Sequence, residues 1–311
     1  MTTVARARTV SMHREPRCLP HTERSTSMHD ATYTTLRVSH EAGIARVTVD
    51  NPPVNVLDVV LMADLRHLLA ELRDDESVRV IVFDSANPEF FVAHVDMSLI
   101  DVPDAFDRFA ADLPHGVNVF QGLGELLRSQ PQVTIVKLTG IARGGGAEFV
   151  AAADMAFAAT ESAALGQVEA LMGIIPGGGG TQYVTGRVGR HRALEIVLGA
   201  DLLDAETAER YGWVNRALPL AELDAFVDRL ARHVADLPDG VIAATKRAIP
   251  PQDLAGGYLR EHEAWARQIA RPAAEKLIRG GLSAGAQTRD GERDLEGLLR
   301  SEGAGWAARH S

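Results

Sequence analysis

Cysteine is all but absent from this chain: Cys18 stands alone among 311 residues. A single thiol excludes an internal disulfide framework and a cysteine-based zinc site, and it fits a reducing compartment. Basic residues are also scarce, with 32 Lys and Arg against 42 Asp and Glu and a formal net charge of −10. Without a Lys/Arg stripe the chain lacks the electrostatic footprint that phosphate backbones demand, so no nucleic-acid partner is expected. No apolar run approaches the roughly 18 residues needed to cross a bilayer, and the expectation is a soluble, cytoplasmic protein with no membrane partner. The 11 histidines include no His-Glu-x-x-His pattern, and no metal is expected.

What is present is globular: 46% apolar and 24% charged residues, in a chain long enough to bury a sizeable core. The first 30 residues differ. Arg6, Arg8, Arg14, Arg17 and Arg24 are scattered among Ser, Thr and Pro, with no apolar segment of a secretory signal. Pro16, Pro20, Glu15 and Glu23 interrupt any amphipathic transit helix, so residues 1–30 read as a disordered tail, with initiation at Met28 as an alternative.

Beyond the tail, β-rich runs at Thr34–Ser39 and Ile44–Val49 flank Glu41-Ala42-Gly43 and predict an antiparallel hairpin. Helical spacing over Val59–Leu72 and a buried strand at Val78–Phe83 make a β-α-β unit. A helix is expected over about Pro103–Arg128, then a strand at Val133–Leu138, short strands at Met155–Ala159 and Ala163–Leu165, and a last strand at Val214–Leu218. From Glu222 onward the pattern is helical. The expectation is an α/β core over 31–221 and a C-terminal helical region over 222–311.

The densest chemical signal is Gly144-Gly145-Gly146, where a buried strand turns into a helix. Glycines let a ligand approach the backbone without an intervening Cβ. The unpaired amides of a helix start suit a developing anion. Glu148 follows Gly145 by three residues, about one turn, and projects from roughly the face that receives the ligand. A carboxylate beside an anion site suggests proton transfer.

Three further segments, Phe90–Met97, Gly166–Gly173 and Pro176–Gln182, complete a pattern that resembles the enoyl-CoA hydratase/isomerase family, the crotonase superfamily. The resemblance runs in order from Thr34 to Leu218, and Gly281–Arg289 is similar to the family's closing helices. It implies a spiral of repeated β-β-α units. It also implies a C-terminal helical region that closes the pocket and helps build a homo-oligomer, either a trimer or a dimer of trimers. The substrate would be an acyl-CoA thioester, with coenzyme A belonging to the substrate and no separate cofactor. One oxyanion amide is implied at Val95 and the other at Gly145, with catalytic carboxylates at Glu148 and Glu169. Val54, Val56, Ala93, His94, Asp96, Met97, Gly144 and Gly173 are implied in substrate binding. Syn hydration of a 2-enoyl-CoA is the leading expectation. Isomerisation through one glutamate and a non-catalytic acyl-CoA-binding role are the alternatives.

The pattern also departs from the family. His94 stands where relatives usually have glycine, and reads either as an acid, base or substrate partner or as a packed loop residue. Ser98 replaces a lysine common near the CoA phosphates, Arg143 is unusual before the glycines, and Val168 stands where hydratases often have proline. Gly281-Leu282-Ser283-Ala284-Gly285 matches a nucleophile elbow. An elbow must follow a strand, whereas Ala273–Arg279 reads as helix.

Overall fold

The computed structural model describes residues 33–308 apart from 103, 112 and 115; the expected N-terminal tail lies outside them. Strands β1 (Leu36–Glu41) and β2 (Ile44–Val49) form the expected antiparallel hairpin. Its two turn residues, Ala42 and Gly43, have φ of 48° and 78°. A two-residue hairpin turn with both residues left-handed matches the twist of the strands it joins. Helix α1 (Val59–Arg73) starts at Asp58, whose carboxylate accepts from the amides of Val60 and Leu61 at 2.9 and 2.8 Å. This cap satisfies two of the orphan donors of a helix start.

The chain then repeats a simple step: one strand goes to a large sheet, the next to a small one, and a helix or turn follows. Strands β3 (Val80–Ser85), β5 (Val133–Leu138) and β7 (Met155–Ala159) enter the large sheet, whose order is β1-β2-β3-β5-β7-β10, with β10 spanning Arg216–Leu218. Strands β4 (Phe90–Val92), β6 (Ile141–Arg143) and β8 (Ala164–Gly166) enter the small sheet, completed by β9 (Leu203–Asp204). This is the expected α/β spiral of β-β-α units. The central strands of the large sheet pair in parallel, and β3 and β5 are nearly continuous apolar runs, as strands covered on both faces must be. Residues of both sheets share one apolar core with α1 and α3 (Gly145–Ala152), where Phe149 meets Phe83 edge-on at 5.1 Å.

One expected element is shorter than the sequence suggested. Instead of a helix over about Pro103–Arg128, the α-helix α2 occupies only Val119–Arg128. Gly116 adopts a left-handed φ of 83°, and Asn118 and Gln121 form a reciprocal capping box that starts the helix afresh. The upstream stretch is irregular, with 3-10 turns at Met97–Asp101 and Asp107–Phe109.

After α4 (Gly180–Val188), α5 (Arg190–Gly199), α6 (Ala205–Tyr211) and α7 (Leu220–Ala235), the chain continues through α8 (Val241–Ala248), α9 (Ala255–Ile269) and α10 (Pro272–Ala284) to α11 (Arg289–Arg293) and α12 (Leu295–Ala308). Ser283 lies within α10, which removes the strand-to-helix setting a nucleophile elbow needs. Helices α10 and α12 pack on the Met97 turn and on a 3-10 turn at Glu169–Met172, forming a second apolar cluster around Val168, Ile278 and Leu299. Among the described residues, no helix is long and apolar enough to cross a membrane.

Candidate functional site

Strand β6 ends at Arg143, and Gly144 turns the chain with φ 46° and ψ −122° into α3. Side chains rarely adopt that φ, and a Cβ on Gly144 would lie 2.9 Å from Glu169 Oε1. Gly145 meets the loop after β4: a Cβ there would fall 2.7 Å from Val95 Cγ2 and 3.7 Å from the Val95 amide nitrogen. The absence of that carbon lets the two backbones come together.

Each of the two peptides is engaged at its carbonyl end. The His94 carbonyl accepts from Leu57 N at 2.8 Å, and the Gly144 carbonyl accepts from Glu148 N at 2.8 Å. The N–H groups of the same peptides, those of Val95 and Gly145, take no part in the hydrogen bonds that shape the loop and open the helix. A hydrogen bond at the carbonyl polarises the N–H at the other end of the peptide. Two such donors at one cavity suit an oxygen that gains negative charge.

That cavity has a volume of about 300 Å³ and is lined by His94, Val95, Asp96, Met97, Gly144, Gly145, Glu148 and Glu169 together. Its remaining wall is mostly apolar, including Leu99, Ile100, Phe106, Phe120, Met172 and Trp265. The other expected binding residues lie elsewhere. Val54 and Ala93 are buried with Phe90 in a small cluster against which Val56 packs. Gly173 closes the Glu169–Met172 turn with a φ of 73° and faces Leu277 and Ala274 of α10.

The two glutamates are both buried, at 5% and 8% exposure. Glu148 Oε1 accepts from the amides of Gly178 and Gly180, each at 2.9 Å, while Oε2 takes no part in these bonds. Burial, then the nearby Glu169 and Glu261 carboxyls, hold its pKa well above the usual range, against the opposing pull of those amides. Glu169 is pushed up to about 7, chiefly by burial. Gln167, with its amide nitrogen toward the carboxyl, donates to both Glu169 oxygens at 3.1 and 3.0 Å. A pair of this kind favours a state with one proton shared between two sites. One member can then accept a proton while the other donates one.

Sequence reasoning missed three carboxylates that build this site. Glu261 of α9 is buried and takes the amides of Gly179 at 2.6 Å and Thr181 at 2.9 Å. Glu292 of α11 lies 2.9 Å from His94 Nε2, and Glu296 of α12 receives Arg143 in a two-pronged contact at 2.6 and 2.9 Å. His94 is therefore tied into the protein through its ring. Burial is the largest influence and depresses its pKa, but the charge and hydrogen bond of Glu292, with the hydrogen bond to the Val95 carbonyl, together raise it.

Known proteins agree with this architecture. The enoyl-CoA hydratase/isomerase family model matches residues 39–283, and the chain belongs to that family. A "Probable enoyl-CoA hydratase" of Rhizobium meliloti (strain 1021) is 33% identical over 187 residues, covering 60% of this chain and 69% of the relative. The Bos taurus "Enoyl-CoA hydratase domain-containing protein 2, mitochondrial" is 32% identical over 243 residues, or 76% of this chain and 79% of that protein. Among solved structures, a candidate enoyl-CoA hydratase from Streptomyces avermitilis is 66% identical, with a TM-score of 0.86 over 87% of this chain and 99% of that one.

Proposed function

We propose that this protein adds water across the double bond of a 2-enoyl-CoA thioester to give a 3-hydroxyacyl-CoA. The observation that carries this reading is the sharing of one cavity by two unengaged backbone amides and two buried carboxyls. The thioester oxygen binds between the amides of Val95 and Gly145, which stabilise the enolate-like charge as it develops. One such donor typically contributes about 10²–10³ in rate. A water sits between Glu148 and Glu169. The ionised carboxyl takes a proton from the water as its oxygen attacks the β-carbon, and the protonated carboxyl delivers a proton to the α-carbon on the same face. The pair ends the cycle holding one proton, as it began.

Acyl-CoA as the substrate is supported by family membership and by the apolar wall, which fits a hydrocarbon chain. Asp96, Met97 and Gly144 are proposed to line the CoA and thioester seat, with Val54, Val56, Ala93 and Gly173 supporting it from behind, and no cofactor beyond the substrate's own coenzyme A is invoked. Assembly into a trimer or a dimer of trimers is proposed on family membership, and sedimentation velocity would test it.

The decisive experiment incubates purified protein with crotonyl-CoA, longer 2-enoyl-CoAs and 3-enoyl-CoAs, and follows products by mass spectrometry and proton NMR. A gain of one water from a 2-enoyl-CoA is expected. An unchanged mass with a moved double bond means isomerisation instead, and binding of CoA esters without turnover of any of them means a non-catalytic role.

A further inference from the structure

Four buried ionisable side chains lie directly behind the oxyanion loop. His94 Nδ1 is 2.7 Å from the Val95 carbonyl, and its Nε2 is 2.9 Å from Glu292 Oε1. Both partners are acceptors. A neutral imidazole has one N–H and one lone pair, so it can satisfy only one of them, whereas an imidazolium satisfies both. The other way to satisfy both contacts is a proton on Glu292. That carboxylate, however, already receives the Gln287 amide at 2.8 Å on Oε1 and Arg143 Nη1 at 3.3 Å on Oε2, and a group ringed by donors favours its ionised form.

Charge balance agrees. With His94 and Arg143 as cations and Glu292 and Glu296 as anions, the cluster is neutral, as deeply buried charges need to be. Glu169, on the turn after β8, also feels the ring, and the positive charge there favours the ionised form of that carboxyl. Gln287 strengthens the same junction by accepting from Met97 N at 3.0 Å and donating to Asp96 Oδ1 at 2.8 Å.

We propose that His94 is a standing imidazolium and a positioning residue. Clamped by Glu292 from the C-terminal segment, it fixes the Val95 carbonyl, on the residue whose N–H serves the cavity, and holds a positive charge beside the Glu148–Glu169 pair. It does not act as acid or base, because both ring nitrogens are committed to protein acceptors. The part of the proposal that concerns turnover rests on the hydration reading; the charge state of His94 does not.

Two measurements test this separately. In histidine-labelled protein, nitrogen-15 NMR should show one residue with both ring nitrogens protonated at about pH 8, above the ordinary imidazole range. That signal should be missing in His94→Asn and should turn to a neutral imidazole in Glu292→Gln. A neutral His94 in the wild type at pH 7 overturns the proposal, whatever the protein's activity. In steady-state kinetics with crotonyl-CoA, both variants should lose the charge that favours ionisation. The acid limb of their kcat profile should then move up by roughly one pH unit, giving a roughly tenfold lower kcat on that limb, with KM within about threefold. A lower kcat with an unmoved acid limb would reduce His94 to packing and overturn the electrostatic role. Should neither variant fold, the wild-type NMR titration decides alone. Should the wild type turn over no enoyl-CoA, the hydration reading fails while the NMR result still judges the imidazolium.

Discussion

Glu148 and Glu261 divide four consecutive amides between them: Gly178 and Gly180 donate to Glu148, and Gly179 and Thr181 donate to Glu261. The start of α4 is thus gripped alternately by α3 and by α9. Helix starts leave such donors unpaired, and two buried carboxyls satisfy them here. Glu261 thereby helps to fix the run of amides that holds Glu148.

Glu261→Ala should therefore damage both stability and turnover. It orphans the buried amide of Gly179 and the half-buried amide of Thr181, and it removes one of two acceptors of the Gln121 amide nitrogen, which keeps the Tyr258 carbonyl at 3.1 Å. An unsatisfied buried donor costs about 1–3 kcal/mol, so a loss of at least about 2 kcal/mol is expected. At this chain length that is a fall in Tm of roughly 5 °C. The kcat on crotonyl-CoA should drop more than KM rises, because the loosened loop misplaces Glu148. Calorimetry showing an unchanged Tm would remove Glu261 from this role.

Gly145→Ala addresses the amide pair. The new Cβ would lie 2.7 Å from Val95 Cγ2 and 3.4 Å from Leu57 Cδ2, so Val95 must shift, and a shift of its backbone is expected to misalign its N–H. Loss of one donor's alignment should cost about 10²–10³ in kcat. The chain should keep its fold, since alanine suits a helix start better than glycine does. Full turnover in a crystallographically intact Gly145→Ala variant would mean that Val95 does not serve the thioester oxygen.

Trp265 should set chain length. It lines the cavity and packs on Gly177, where a Cβ would lie 2.8 Å from its ring. Trp265→Ala opens the apolar end, and each extra methylene buried there is worth about 0.8 kcal/mol. The ratio of kcat/KM for a ten-carbon over a four-carbon 2-enoyl-CoA should rise about tenfold or more. An equal loss at every chain length would limit Trp265 to packing.

Local features of this site were readable in the sequence. The glycine turn, Glu148 one helical turn beyond Gly145, and Glu169 after a short strand all depend on spacing along a single segment. The residues that hold them do not. Glu292 sits 198 positions from His94 and Glu261 sits 82 from Gly179, distances over which no periodicity links a carboxylate to its partner. The overlong helix before Arg128 has a related cause. Within the expected span, Phe106 is apolar because it faces the cavity, and an apolar residue there imitates a helix facing a core. Strands β4, β6, β8 and β9 have only two or three residues each, too few to show alternation, and of the small sheet only β8 is expected from the sequence, at Ala163–Leu165.

The buried carboxyl pair should make the protein less stable as pH rises. Glu169 has its pKa displaced upward from about 4.5 to about 7 by burial, so the folded chain binds this proton more tightly than the unfolded chain. Folding is then penalised progressively as pH climbs from 4.5 through 7, by up to roughly 3 kcal/mol above that window. Glu169→Gln carries no such proton and keeps an oxygen for the Gln167 amide. Its Tm should match the wild type near pH 4.5–5 and exceed it by several degrees at pH 8, while hydration of crotonyl-CoA collapses. Gaining stability by losing a buried carboxyl is the expected exchange if Glu169 has the proposed catalytic role. A variant no more stable than wild type at pH 8 would show that Glu169 is ionised at no cost in the folded protein, and that the two carboxyls do not share a proton.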